Sequence, residues 1–202
     1  MDVLIATQNP GKTREFRALL ASLEAKLCFP SALNLRIEVP EDGTTYTDNA
    51  RQKALAYVRA SRLLTLADDS GLEVDALDGA PGIRSARYAP GHDADRVETL
   101  LAQLCDVPWA QRTARFRCVV AIATPTGELY NTEGVCEGLI ALKPAGRGGF
   151  GYDPVFYLPK YNCTMAELPQ REKNRISHRA RAIDAALPTL RRLLAQETST
   201  HY

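Results

Sequence analysis

The feature that most restricts the fold is a change of period near residue 114. From there the chain reads ARFRCVVAIATPTGELYNTEGVCEGLIAL, residues 114–142, with Phe116, Cys118, Val120 and Ile122 at every second position before PTGE. Apolar residues resume beyond that turn. Alternation on both sides of a short polar turn is the pattern of an antiparallel hairpin. A purely parallel sheet is therefore disfavoured, although what precedes the hairpin has the order of a parallel α/β unit.

That earlier part begins with VLIAT, a short buried-type strand, and continues into PGKTREFRALLASL, where Phe16, Leu19, Leu20 and Leu23 have helical spacing. A second helix is predicted over TDNARQKALAYVRAS, capped by Thr47 or a nearby Thr, and LLTLA then reads as a strand ending at Asp68 and Asp69. DGAPGIRS is turn chemistry. DADRVETLLAQL is a third helix, with Asp93 or Asp95 as its cap. After the hairpin, KPAGRGGFGYDPVFYLP reads as a loop followed by a short strand. QREKNRISHRARAIDAAL reads as one amphipathic helix that Pro188 stops or kinks. The expected architecture is α/β, an elongated mixed β-sheet with flanking helices, in a single domain of two lobes around a central cleft.

Composition narrows the partners. The chain has 202 residues, 45% of them hydrophobic, enough to bury a core, and 25 basic against 24 acidic residues leave a formal charge of +1. No global field exists to hold a nucleic acid or an anionic membrane, so an anion has to be bound locally. The apolar runs are far shorter than a membrane span, and the first residues lack the basic start and long apolar stretch of a signal peptide. A soluble, cytoplasmic protein is expected. The five cysteines are odd in number, widely spaced and without a CxxC pair, which suggests buried free thiols and not a disulfide framework or zinc site.

Four short segments carry candidate chemistry. TQNPGKT, residues 7–13, lies where a strand meets a helix, a place where amides and the helix dipole favour an anion and Lys12 adds a full charge. It is also readable as a plain turn, or as a degenerate Walker loop that lacks its first Gly and loses an amide at Pro10. Asp68 and Asp69, followed by Ser70 and Gly71, offer hard oxygen ligands of the kind that suit Mg²⁺; a capping or salt-bridged pair is the plainer alternative. Glu38, Glu41 and Asp42 lie upstream, where each is also explained as a solvated loop charge. GRGGFGYDP, residues 146–154, sets Phe150 and Tyr152 among glycines, as a stacking surface for a nucleobase or as a hydrophobic plug. SHRARA opens or lies within the final helix and supplies Ser177, His178 and Arg179 as donors of three geometries, or as ordinary solvated charges of a helix surface.

Taken in order, TQNPGK, ADDSGLEVDALDGAPGIRSARYA, GGFGYDPVF and EKNRISHRARA resemble the inosine triphosphate pyrophosphatase family from end to end. The resemblance implies Mg²⁺-dependent hydrolysis of dITP, ITP and XTP to the monophosphate and pyrophosphate, by a homodimer that cleanses the nucleotide pool. It implies that Thr7, Gln8, Asn9, Pro10, Gly11 and Lys12 bind the triphosphate, and that Asp69 is the general base and a metal ligand. Asp68 then supports the metal and Ser70 joins the substrate shell. By the same resemblance Phe150, Gly151, Tyr152 and Asp153 form the aromatic loop, and Lys173, His178 and Arg179 read the base. One position departs from the pattern: some relatives carry a metal-ligating Glu three residues before Gly43, where this chain has Pro40. Either Glu41 or Glu38 takes that place, or the metal is held mainly by Asp68, Asp69, phosphate oxygens and water.

Overall fold

The computed structural model describes residues 2–199. The elements, in order, are β1 (Asp2–Ile5), α1 (Pro10–Leu19), β2 (Lys26–Cys28), α2 (Tyr46–Ser61), β3 (Leu64–Val74) and α3 (Asp93–Gln103). They continue with β4 (Thr113–Ala123), β5 (Leu129–Ile140), β6 (Phe156–Leu158), β7 (Cys163–Thr164), α4 (Gln170–Ile176) and α5 (His178–Ser199). Seven strands form one sheet in the order β2-β1-β3-β4-β5-β6-β7. β1 pairs in parallel with β2 and β3, whereas β6 is antiparallel to β5 and β7, so the sheet is mixed as the period change requires. The β4–β5 hairpin turns at 124–128, where Thr124 N–H donates to Glu128 O at 3.0 Å.

The chain divides into two compact units. The first comprises Met1–Asp69, Cys118–Gly134 and Arg179–Tyr202; the second comprises Ser70–Arg117 and Val135–His178. In the first unit, Val3, Ile5, Leu64, Leu66, Cys118, Val120 and Ile122 line a core with Phe16 and Leu20 and with Ile183, Ala186 and Leu190 of α5. The strands alternate as expected, yet Val119, Ala121 and Ala123 are buried too, so β4 is covered on both faces. The second unit has its own core, built from Leu72, Val74, Val97, Leu100, Phe116, Tyr152, Val155, Phe156 and Met165. Burial of each large apolar side chain is worth about 1.5–3 kcal/mol.

The N-cap of α2 is a threonine near Thr47, as expected: Thr45, whose side chain accepts from Asp48 N–H. Other local expectations are corrected. α3 begins at Asp93 with His92 as N-cap, and Asp95 Oδ2 accepts from the His92 N–H at 2.6 Å. β3 does not end at the acids: it runs on through Asp68, Asp69, Ser70 and Gly71 to Val74. The last helix is two helices, parted at Ser177, whose ψ of 155° is extended. Pro188 lies within α5 without ending it. A proline inside a helix costs about 3 kcal/mol; burial of Leu190 and Leu193 beyond it, about 1.5–3 kcal/mol each, offsets that. The five cysteines are free thiols, and Cys105 is exposed.

Candidate active site

The continuation of β3 decides what the acidic pair does. Neighbours on a strand face opposite ways, so Asp68 and Asp69 enter different surroundings, and both are buried. Asp68 meets cations. Its Oδ2 accepts from Arg179 Nε at 3.1 Å and Arg179 Nη2 at 2.9 Å, and lies 3.0 Å from Lys12 Nζ. Burial alone pushes a carboxyl up, but Lys12, Arg179 and Lys53 outweigh it and hold Asp68 well below the usual range. Arg179 is itself fully buried and also donates through Nη1 to Glu15 Oε2 at 2.5 Å.

Asp69 has a different balance. Its Oδ2 accepts from Asn49 Nδ2 at 2.9 Å. Burial raises its pKa, and Glu41 adds to the rise; the Asn49 bond, Lys12 and Lys53 only partly oppose it. The outcome is a carboxylate that holds a proton more readily than an ordinary aspartate, next to one held in its charged form by the cations around it. Lys53 ties Glu41 to the pair, donating to Glu41 Oε1 at 2.7 Å and to Asp68 O at 3.2 Å. Burial pushes the Lys53 amine down, but Asp68 and Glu41 overcome this and its pKa is raised.

The loop before α1 is built as a capped helix start. Asn9 is the N-cap, its Oδ1 accepting from Lys12 N–H at 3.0 Å, and Thr13 N–H goes to Asn9 O. Thr7 Oγ1 accepts from Asn9 N–H at 3.2 Å, and Gln8 Nε2 donates to Tyr57 Oη at 3.1 Å. Pro10 brings no amide, and the amides of Lys12 and Thr13 are used within the cap. Attraction for an anion here rests on the Lys12 charge and the dipole of α1, unlike the amide cradle of a Walker loop. Gly11 is buried directly behind the exposed Gln8, Asn9 and Pro10.

The second unit holds the aromatic loop. Phe150 N–H donates to Asp153 Oδ2 at 2.8 Å, Asp153 pairs with buried Lys173, and Lys173 Nζ stands 5.2 Å from the Phe150 ring centroid. The latter distance suits a cation–π contact. Tyr152 Oη donates to Ser85 O at 3.0 Å, and Gly151 N–H to Asp93 Oδ2 at 2.6 Å. His178 is buried and stacks on Phe116, with centroids 4.7 Å apart.

The structure thus groups Thr7 to Lys12, Asp68, Asp69 and Arg179 in one unit, and Phe150 to Asp153, Lys173 and His178 in the other, which also contains Ser70. The Arg179 guanidinium sits on Asp68 and Glu15, and Asp68 Oδ2 is shared between Arg179 and Lys12. Sequence reasoning also missed Glu15, Asn49, Lys53 and Asp93. Asn49 and Lys53 carried a signal, since they recur four apart beside the buried Ala50 and Ala54 on the inward face of α2.

Comparison with known proteins agrees with the motif reading. The chain is 49% identical over 195 residues to the dITP/XTP pyrophosphatase of Desulforamulus reducens, covering 96% of this chain and 97% of that one. It is 50% identical over 188 residues to the dITP/XTP pyrophosphatase of Geobacillus kaustophilus, covering 90% of each. The solved Ham1 protein of Staphylococcus aureus superposes with a TM-score of 0.82 at 39% identity, over 98% of this chain and 100% of that one. The model of the Ham1 family matches residues 3–189, and the chain belongs to the Ham1 family.

Proposed function

We propose that this protein hydrolyses non-canonical purine nucleoside triphosphates, dITP, ITP and XTP, to the monophosphate and pyrophosphate. The observation that carries the reading is the divided acidic pair: Asp68 neutralised by Lys12 and Arg179, Asp69 left with a raised pKa beside Asn49 and Glu41. Hydrolysis at the α-phosphate needs a base that takes a proton from water and a positive charge that receives the departing pyrophosphate. Asp69 is suited to the first task, and Lys12, at the head of α1, to the second. Relatives named dITP/XTP pyrophosphatase, matched over nearly their whole length, support the same reaction and substrate class.

The donor set fits Mg²⁺. Asp69 and Glu41 are two carboxylates close enough for Glu41 to raise the pKa of Asp69, and hard oxygen ligands of that kind leave positions for phosphate oxygens and water. Among the described residues no three acidic, His or Cys side chains form a ready-made cage. When bound, the ion screens phosphate charge and lowers the pKa of water. Asn49 orients the Asp69 carboxylate, Lys53 holds Glu41, and Asp68 fixes the Lys12 ammonium at the mouth of the anion loop. The aromatic loop offers the Phe150 ring to the purine, with Lys173 as a nearby donor. In keeping with the resemblance, the protein acts in the cytoplasm as a homodimer; among the described residues no helix is long and apolar enough to cross a membrane.

Incubation with ITP and Mg²⁺ tests the reading. Pyrophosphate and IMP are the expected products. Inorganic phosphate and IDP would indicate an ATPase-like enzyme, and binding without turnover a nucleotide sensor.

A further inference from the structure

Two consecutive amides of the aromatic loop are held by carboxylates of different origin. Phe150 N–H donates to Asp153, within the loop itself, and Gly151 N–H donates to Asp93 Oδ2 at 2.6 Å, from the first residue of α3. Asp93 is aligned in turn: its Oδ1 accepts from Arg96 Nη2 at 2.7 Å, and Arg96 Nη1 donates to Gly91 O at 3.0 Å. The first turn of α3 and the turn before it thus converge on one backbone amide of the loop.

The loop has reason to need such a hold. Gly149 and Gly151 have φ of +74° and +61°, conformations that favour glycine, and they flank Phe150 on both sides. Glycine loses more backbone freedom on ordering than any other residue. The direction of the half-buried Phe150 ring is therefore not set by chain stiffness. Tyr152 and Asp153 are fixed downstream by Ser85 and Lys173, and Gly148 N–H upstream donates to Ala166 O at 3.0 Å, so the Gly151 amide lies between these anchors, beside the Phe150 ring.

We propose that Asp93 is a positioning residue of the aromatic loop: its carboxylate, aligned by Arg96, fixes Gly151 and thereby the plane that Phe150 presents to the purine. The inference rests on the assignment of this loop to the purine under the proposed function. Asp93 acts through the loop and takes no part in proton transfer or phosphate binding. Loss of the hold lowers the fraction of molecules with a competent loop, and apparent affinity falls by that fraction. The chemical step, which uses Asp69 and Lys12, is unaffected once substrate is bound.

The test combines ITP kinetics with amide exchange of Gly151 in the nucleotide-free protein, measured by NMR. Asp93→Ala is expected to raise KM about tenfold or more with kcat within about twofold of the parent, and to speed Gly151 exchange. Asp93→Asn, which keeps an oxygen acceptor, should restore most of the KM. Arg96→Ala, which keeps the carboxylate but frees it from its anchor, should give a smaller rise in the same direction. An unchanged KM in Asp93→Ala overturns the inference. So does a matched fall of kcat and thermal stability with no rescue by Asn. If the parent makes no pyrophosphate from ITP, the pyrophosphatase reading fails instead, and Gly151 exchange still decides whether Asp93 holds the loop.

Discussion

Arg179 reaches the same oxygen of Asp68 with two nitrogens, Nε at 3.1 Å and Nη2 at 2.9 Å, while its third nitrogen is on Glu15. This joins α5 to β3 and α1 through one fully buried guanidinium. Breaking such a pair by removing one partner costs more than the pair contributes, because a buried charge is left behind. Arg179→Ala takes the guanidinium away from Glu15 and from Asp68, which keeps Lys12, and should cost about 3–5 kcal/mol in urea unfolding. Arg179→Lys keeps the charge but not the fork geometry, and should recover only part of this. A loss below about 1 kcal/mol in Arg179→Ala would remove the cluster from the account of the fold.

The two aspartates predict opposite stability profiles. Asp68 has a folded pKa below its ordinary 3.8, so its contribution is complete above 3.8 and is lost as pH falls below it. Asp69 has a folded pKa above 3.8, so folding favours its protonated form, and that contribution is lost as pH rises from 3.8 through the folded value. Asp69→Asn should therefore raise Tm at pH 7, with the gain vanishing below pH 3.8. The same variant should lose about 10²–10⁴-fold in kcat by removal of the base. Near-parental turnover in a folded Asp69→Asn protein would refute the base assignment, and a fall in Tm at pH 7 would refute the electrostatic balance.

The order of strands and helices was legible because period carries it, and the hairpin was the clearest part. β2 and β7 were missed because three and two residues hold no period. The end of β3 was misplaced for a physical reason: two adjacent charges look like solvent, and the cations that bury Asp68 come from α1 and α5, 56 and 111 positions away in the chain. At the site, the loop before α1, the acidic pair and the aromatic loop stood out through their unusual local chemistry. Glu15 and Asp93 did not, since a polar residue on a helix is ordinary until its partner is known, and Asn49 and Lys53 were marked only by their four-residue spacing on α2. The division of Lys173 in α4 from Arg179 in α5 was equally hidden, because Ser177 parts the two helices without a Gly or Pro to mark the break.

Lys12 is the charge at the head of α1, and Asp68 holds it in place. Lys12→Ala removes attraction for the triphosphate but leaves Asp68 paired with Arg179, so the fold should survive. kcat/KM is expected to fall by at least about tenfold, the effect of losing one charge-assisted contact of about 1.5–3 kcal/mol. The fall should be the same for ITP, XTP and ATP, since the contact is to phosphate. A changed ITP-to-ATP ratio at constant overall efficiency would instead place Lys12 at the base.

Under the proposed function Glu38 and Glu41 are the two candidates for the ligand position at which this chain has Pro40, and their surroundings differ. Glu38 is exposed. Glu41 is half-buried, anchored by Lys53 at 2.7 Å, and acts electrostatically on Asp69. A ligand carboxylate has to be held near the other one despite their repulsion, and Lys53 provides the compensating charge that makes this possible before any ion arrives. Glu41→Gln should therefore raise the Mg²⁺ concentration for half-maximal activity by about tenfold or more, the size of effect associated with loss of a supporting metal contact. Glu38→Gln should leave it unchanged. Without nucleotide or turnover, Mg²⁺ should raise the Tm of the parent and have a smaller effect on Glu41→Gln, because an ion that binds only the folded state stabilises it. Equal Mg²⁺ dependence in parent and Glu41→Gln would leave Asp69 as the single carboxylate ligand and would assign Glu41 to the support of Lys53 alone.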